Sequence, residues 1–248
     1  MSDAPSDEEK LARVARALRR VAVFRDLDDD MRAQVAGLAR PLVYARGPHL
    51  DEPVAAAGSI YLIAEGHLRL YREAPTGRQV TLDLLGAGEF FRFLVREPNG
   101  GLVSIAEAMG GRTVLYRFPG ADLLAVLAAS PDAQARLGAE LARALARAYD
   151  DMAEVVLYDV ETRLARALVR LAAEGVDTGG DAGYVGATHE ELGWHINAAR
   201  EDVTRYVRRF ARLGLIATEP HRRGLVVRDG LHEYATRRAS GQRTHGES

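Results

Sequence analysis

The first pattern along the chain is a series of short apolar runs separated by glycines. Between residues 45 and 115 the glycines recur every 8 to 12 residues, and the runs between them are rich in β-branched and aromatic residues. These glycines are Gly47, Gly58, Gly66, Gly77, Gly88, Gly100 and Gly111. Residues 68–73 and 79–84 alternate apolar and polar positions, as strands with one buried face do. The spacing predicts an antiparallel β-sandwich or β-barrel.

A helical pattern replaces the strands after Pro119. A short helix is predicted over 122–129, and Ser130 followed by Pro131 is a favourable start for a second helix. No proline interrupts residues 132–159, which predicts a helix about 40 Å long. Its apolar seam consists of Leu137, Leu141, Leu145, Met152 and Val155. Few other helices are available to bury this seam, so the pattern favours pairing with a second copy over burial in a larger bundle.

The last third of the chain has the pattern of two short helices followed by a hairpin. After a helix predicted over 160–174 and a glycine-rich loop, Thr188 and Glu191 form the two ends of a capping box. The short helix that follows meets Asn197, a residue that tolerates the left-handed backbone of a tight turn. A second helix then runs from about Ala199 to Leu213, and residues 215–228 read as a hairpin. This order predicts a winged helix-turn-helix.

Charge is distributed unevenly along the chain. The 248 residues carry a formal net charge of −2, which alone would argue against a nucleic-acid partner. Residues 199–228, however, contain eight arginines and three acids, a local net charge of +5. A solvated helix face would explain most arginine runs, but it does not explain Arg222 and Arg223 at the hairpin tip, where phosphates lie beside a groove-bound helix. We therefore predict binding of double-stranded DNA.

Several other classes of function are disfavoured. The chain has no cysteine, which excludes disulfides, cysteine-ligated iron–sulfur clusters and thiol chemistry. No window approaches the roughly 18 apolar residues of a membrane helix, and the acidic start of the chain does not fit a secretory signal, so we expect a cytoplasmic protein. No catalytic triad or P-loop is present, and His189-Glu190-Glu191 lacks the second histidine of a zinc-protease motif in register. We expect no enzymatic activity.

Five segments together support a family resemblance. They are residues 60–72, 82–91, 157–166, 191–205 and 213–216. In this order they resemble the CRP/FNR (cyclic-AMP receptor protein and fumarate–nitrate regulator) family over about residues 24–236. The resemblance implies an α+β chain with an N-terminal helical extension (1–23), a β-roll effector domain like the cyclic-nucleotide-binding jelly roll (24–130), a dimerisation helix (131–158) and a winged helix-turn-helix domain (159–248).

The same resemblance assigns the DNA contacts. It implies that Arg200, Glu201 and Arg205 contact the bases. The two arginines resemble the pattern of the family branch that recognises TGTGA-like half-sites in a palindrome. The full set of predicted contacts is Arg200, Glu201, Thr204, Arg205, Arg208, Arg222 and Arg223. The family's usual turn glycine is Asn197 here, and Ala199 replaces its usual Ser or Thr. A homodimer, a hinge at Asp159 and contact with RNA polymerase are also implied.

The effector pocket departs from the family pattern. The predicted pocket residues are Phe91, Arg92, Phe93, Val103 and Ser104. The Gly-Glu pair that holds the ribose is replaced by Arg92-Phe93, and Val103 stands where the phosphate-binding arginine belongs. A buried phosphate without a cation is costly, so we expect no ordinary cyclic-AMP binding unless Arg92 or Arg112 supplies a displaced charge.

Three alternatives remain open at this point. Haem is the family's other cofactor, and its candidate ligands here are His49, His67 and Met109; the protein would then be a haem-based gas or redox sensor. A regulator without an effector, or with an unfamiliar one, is the second alternative. A ligand-binding module without DNA function is the third.

Overall fold

A computed structural model describes residues 7–50, 58–91, 103–177, 183–218 and 224–240. The chain divides into two compact units, residues 1–148 and 149–248, which we call the N-terminal and C-terminal units. The division falls inside the long helix, which the sequence suggested as a segment of its own (131–158). Each unit combines helices with an antiparallel sheet, so the predicted α+β class is confirmed.

The N-terminal unit is an antiparallel sheet accompanied by helices at both ends of its sequence. The helices are α1 (Asp7–Leu18), α2 (Asp29–Leu38), α3 (Gly120–Leu127) and the start of α4 (Pro131–Leu157). The strands are β1 (Arg40–Tyr44), β2 (Gly47–Leu50), β3 (Ser59–Glu73), β4 (Gln79–Leu85), β5 (Phe90–Phe91) and β6 (Val103–Pro119). The sheet has the strand order β1-β6-β3-β4, with β2 also paired to β6 and β5 to β3.

Two glycines that the sequence suggested as turns lie inside long strands. Gly66 has φ +85° and lies in a bulge of β3, where the pairing with β6 shifts register on both sides of the adjacent Glu65. A Cβ at Gly66 would lie 2.6 Å from the hydroxyl oxygen of Thr113, so the position requires glycine. Gly111 lies within β6 beside Gly110, which has φ +78°. The prediction of separate short strands here was wrong, because a glycine with positive φ can form a bulge as well as a turn.

The N-terminal segment is part of the core of its unit. Val14 and Leu18 of α1 are buried in one cluster with Phe24, Phe118 and Leu123. Helix α1, within the segment predicted as an N-terminal helical extension (1–23), therefore packs against the rest of its unit through its apolar side.

The second core lies in the C-terminal unit, where four helices and a small sheet surround it within the described residues. The helices are α5 (Val160–Asp177), α6 (His189–Ile196), α7 (Arg200–Arg212) and α8 (Asp229–Ala239), and the strands are β7 (Tyr184–Val185), β8 (Ile216–Thr218) and β9 (Leu225–Val227). Leu164, Leu168, Phe210 and Leu231 are fully buried in this core. Helix α5 continues three residues beyond its predicted end, and α8 was not predicted.

Candidate nucleic-acid interface

Local interactions hold α6 and α7 in a fixed arrangement. The hydroxyl of Thr188 accepts a hydrogen bond from the Glu191 N–H (3.2 Å), and the Glu191 carboxylate accepts one from the Thr188 N–H (2.7 Å). Asn197 ends α6 in the left-handed conformation with φ 50°. A Cβ at Gly193 would lie 2.7 Å from the Ala198 carbonyl oxygen, so the turn can approach α6 only at a glycine. The predicted capping box and tight turn are both confirmed.

Helix α7 is strongly amphipathic. Val203, Val207 and Phe210 are buried in the core of the C-terminal unit. The opposite side of the helix is an open face, whose residues are Arg200, Glu201, Thr204, Arg205, Arg208, Ala211 and Arg212. The structure thus brings five of the seven predicted DNA contacts together on one exposed face, with a clear excess of positive charge.

Arg205 is held by neighbours on its own helix. Its Nη2 lies 2.6 Å from Oδ1 of Asp202, and its guanidinium carbon lies 4.7 Å from the centre of the Tyr206 ring. Asp202, an acid on a helix rich in arginine, is therefore paired in the free protein. Arg205 must leave this partner, or share it, when its guanidinium binds a base edge.

Thr204 connects α7 to the start of α6. Its hydroxyl donates to the Arg200 carbonyl oxygen (2.9 Å), and Nδ1 of His189 lies 2.9 Å from the same hydroxyl oxygen. Because the hydroxyl proton is already used, the histidine nitrogen is the donor in this pair. Burial and the charges of Arg200 and Arg208 lower the pKa of His189, so the ring is neutral near pH 7. Thr204 therefore links the first turn of α7 to the start of α6 in the free protein.

The hairpin that follows α7 has the predicted antiparallel pairing. Strand β8 pairs with β9 so that Thr218 lies opposite Leu225, and β7 adds a third strand on the other side of β9. The tip between them, with Arg222 and Arg223, lies outside the described residues. Their role as phosphate contacts stays a prediction.

The predicted hinge residue Asp159 is the cap of α5 and part of an ion-pair network. Its carboxylate accepts a hydrogen bond from the Thr162 N–H (2.8 Å) and lies 2.6 Å from Nη2 of Arg238 on α8.

The buried carboxylate of Glu161 accepts hydrogen bonds from the Tyr234 hydroxyl (2.6 Å) and from Arg209 (3.0 Å), and it lies 3.3 Å from Arg238. This network joins α5, α7 and α8. Sequence reasoning missed it, although Glu161 occupies the apolar stripe of α5, three residues before Leu164.

We predict that Asp159 makes stability depend on pH. Burial opposes its ionisation, but the hydrogen bonds from Thr162 and the charge of Arg238 outweigh burial and hold the pKa of Asp159 below its ordinary value. A carboxyl whose pKa is lower in the folded state stabilises the protein above its unfolded pKa, and this contribution is lost as the pH falls through the folded pKa. Asp159→Asn keeps the cap but loses the ion pair, so it should lower the free energy of unfolding at pH 7 by about 0.5–1 kcal/mol.

Urea unfolding between pH 3 and pH 7 measures this effect. The difference between wild type and Asp159→Asn should begin to shrink near pH 4, where the carboxyl of the unfolded chain gains its proton, and should be lost below the lowered pKa of the folded state. Asp159→Ala, the comparison variant, should cost about 1 kcal/mol more at every pH because it also removes the cap. A difference between wild type and Asp159→Asn that does not change with pH would contradict the assignment.

The predicted effector residues are only partly within the described ranges. Phe91 is buried and stacks on Tyr61, with 4.9 Å between ring centres. Val103 and Ser104 begin β6, where they pair with Glu73 and Arg72. Arg92 and Phe93 lie outside the described residues, as do the side chains of Val103 and Ser104.

The sheet also contains Arg112, the possible displaced cation, and the candidate haem ligands His49, His67 and Met109. Arg112, a possible displaced cation, forms an ion pair with Glu65. His67 and Met109 lie directly opposite each other on β3 and β6. Such neighbours are about 5 Å apart and point to the same side of a sheet, so they do not provide ligands on opposite faces of a haem. His49 lies in β2, and its side chain is outside the described set.

Comparison with known proteins identifies both halves of the chain. Residues 162–233 match the Crp-like helix-turn-helix domain, and residues 43–130 match the cyclic nucleotide-binding domain. A cyclic AMP receptor protein from Thermus thermophilus is 30% identical over 162 residues, which cover 65% of this chain and 72% of that one. The chain belongs to the CRP/FNR family of transcription regulators.

Other members of the CRP/FNR family match over most of their length. A CRP-like cAMP-activated global transcriptional regulator from Mycobacterium tuberculosis is 27% identical over 204 residues, which cover 82% of this chain and 91% of the relative. A solved CRP-family transcriptional regulator from Thermus thermophilus is 25% identical, with a TM-score of 0.56, over 79% of this chain and 96% of that one. This CRP/FNR protein is therefore a CRP-like transcription regulator with a DNA-binding helix-turn-helix. No helix within the described ranges combines the length and hydrophobicity that a membrane span requires.

Proposed function

We propose that the protein is a homodimeric regulator that binds a palindromic operator with TGTGA-like half-sites through α7 and its caps, Ala199 to Leu213. The observation that carries this proposal is the exposed face on which Arg200, Glu201 and Arg205 lie together. Arginine binds guanine through O6 and N7 at once, and glutamate accepts from the cytosine amino group. Arg208 and Arg212 extend the same face toward the phosphates. RNA polymerase is the expected protein partner at such an operator, on family grounds.

The exposed seam of α4 supports the homodimer. Leu141, Leu145, Tyr149 and Met152 are each more than half exposed, and Val155 is 42% exposed. Spaced three or four residues apart, they form one apolar stripe along the helix. Leu137, the first residue of the predicted interface, instead packs partly against the core of the N-terminal unit. The dimer seam therefore begins at Leu141 in our proposal. Two identical helices related by a two-fold axis would set the spacing of the two copies of α7.

We further propose that ordinary cyclic-AMP binding does not control this protein. Position 103 carries valine in place of the phosphate-binding arginine, and Arg112 is paired with Glu65. The buried Arg69 is also engaged, because its guanidinium contacts Thr81 (3.0 Å), Gln79 (3.1 Å) and Glu107 (3.4 Å). Among the described residues, a cyclic phosphate in the predicted pocket would thus lack a free cation, and Arg92, which lies outside them, is the one arginine of the predicted pocket.

Selection of binding sites from a random DNA duplex library tests the proposal. The purified protein should enrich a palindrome whose half-sites are about one helical turn apart, and the enriched site and affinity should be the same with and without cyclic AMP. Enrichment of no sequence would contradict the operator, and enrichment that requires cyclic AMP would contradict the effector assignment.

A further inference from the structure

Two adjoining cavities lie beneath α1 in the N-terminal unit. The smaller, of about 330 Å³, lies between the α1 side of the unit and residues 62–65 of β3 and 87–88 of the loop after β4. The larger, of about 660 Å³, lies between α1, the end of α2, β1 and β6. Arg13 and Tyr116 line both cavities. Their volumes fall within the range typical of small-molecule sites.

The smaller cavity carries an excess of positive charge. Arg13, Arg16 and Arg20 line it, and Glu65 is its single acid. That acid is already paired with Arg112. Within the described part of the chain, no carboxylate forms an ion pair with Arg13, Arg16 or Arg20, whereas the neighbouring Arg19 pairs with Asp29. Three guanidinium groups that no described carboxylate pairs with, lying at one cavity, favour an anion.

The larger cavity is mainly apolar. Leu11, Val14, Pro41, Val43 and Val114 contribute to its lining, and its charged residues are all arginines: Arg13, Arg40 and Arg112. Val43 is 59% exposed and Leu11 43% exposed, so apolar surface is left uncovered at its rim. Such a cavity suits the aliphatic or aromatic part of a ligand.

Tyr116 offers a hydrogen bond where the two cavities meet. Its ring is buried, and burial raises the pKa of its hydroxyl, against the opposing charge of Arg13. The hydroxyl therefore keeps its proton at neutral pH and can donate. Among the described residues, no hydrogen-bond partner is seen for it.

We propose that these cavities form one binding site for a small amphipathic anion, whose carboxylate or phosphate group binds Arg13, Arg16 and Tyr116 and whose apolar part lies against Leu11, Val14 and Val43. Phe91, the residue of the predicted cyclic-nucleotide pocket whose side chain is described, does not line this site, and the proposal does not depend on DNA binding. Because α1 forms one wall, a ligand here would stabilise the packing of α1 on the sheet.

Calorimetric titration of the full-length protein tests this site. The probes are decanoate, decyl phosphate, inorganic phosphate and the uncharged decanol. At least one of the two amphipathic anions should bind with micromolar affinity, and whichever of them binds identifies the preferred head group. Decanol and inorganic phosphate should each bind at least about tenfold more weakly, because each lacks half of the proposed interactions.

Matched variants locate the site. Arg13→Gln combined with Arg16→Gln should weaken binding of the amphipathic anion at least about tenfold, while Arg19→Gln, on the same segment but paired with Asp29, should leave it unchanged. These side chains are exposed, so circular dichroism should show a folded protein in each case. The proposal is overturned if neither amphipathic anion binds, if decanol or inorganic phosphate binds as tightly, or if the double variant binds like wild type.

Discussion

Replacing Arg200 and Arg205 together by alanine should abolish binding to the palindromic site while the dimer stays intact. Each bidentate arginine–guanine contact discriminates by about 1–3 kcal/mol, so the pair should cost about 2–6 kcal/mol at each half-site. Over the two half-sites even the lower figure sums to about 4 kcal/mol, which weakens binding of the dimer nearly a thousandfold. Both side chains lie on the open face of α7 and bury no core surface, so the loss should come from recognition and not from folding.

A matched control separates base reading from loss of charge. Arg78→Ala with Arg237→Ala removes two positive charges at exposed positions outside α7. Arg237 pairs only with Glu233 of its own helix among the ion pairs described. Fluorescence anisotropy with the selected duplex should show nearly wild-type affinity for this control. If the α7 variant protects the same site as wild type, the assignment of α7 as the recognition helix is wrong.

Leu145→Glu combined with Met152→Glu should convert the dimer to a monomer. Both residues lie on the exposed stripe of α4, and each new carboxylate would have to lose its water at the helix–helix contact. We expect the dimer dissociation constant to rise at least about a hundredfold, which corresponds to about 3 kcal/mol. Operator affinity should fall with it, since two half-sites can no longer be bound by one linked pair of recognition helices.

Ala139→Glu is the control for this experiment. Ala139 is an exposed residue of the same helix, rotated about 120° from Leu145 at 100° per residue. Sedimentation velocity should show a dimer for Ala139→Glu and a monomer for the double variant. A double variant that remains dimeric would place the interface elsewhere on the protein.

Structural features that a few neighbouring residues determine could be predicted from the sequence. Thr188 with Glu191 defines the start of α6, Asn197 the turn, and the Val203, Val207 and Phe210 stripe the inner face of α7. Each depends on contacts within about four residues, so the pattern alone contains the information. The α+β class followed from the same local signals.

Features that depend on distant contacts could not be predicted in this way. The bulge at Gly66 is decided by pairing with β6, more than 40 residues later in the chain. The role of Glu161 depends on Tyr234 and Arg238, more than 70 residues away on α8. The site beneath α1 likewise requires that α1 and β6 meet, although the arginines that line it are visible in the sequence.

Hydroxyl-radical footprinting on the selected palindrome tests the central claim most directly. The wild-type protein should protect two patches on one face of the duplex, about 34–36 Å apart, with two chains bound per duplex. The Arg200→Ala, Arg205→Ala variant should protect neither patch. A single patch with one chain bound, or the same protection by the variant, would contradict a dimer that reads two half-sites through α7.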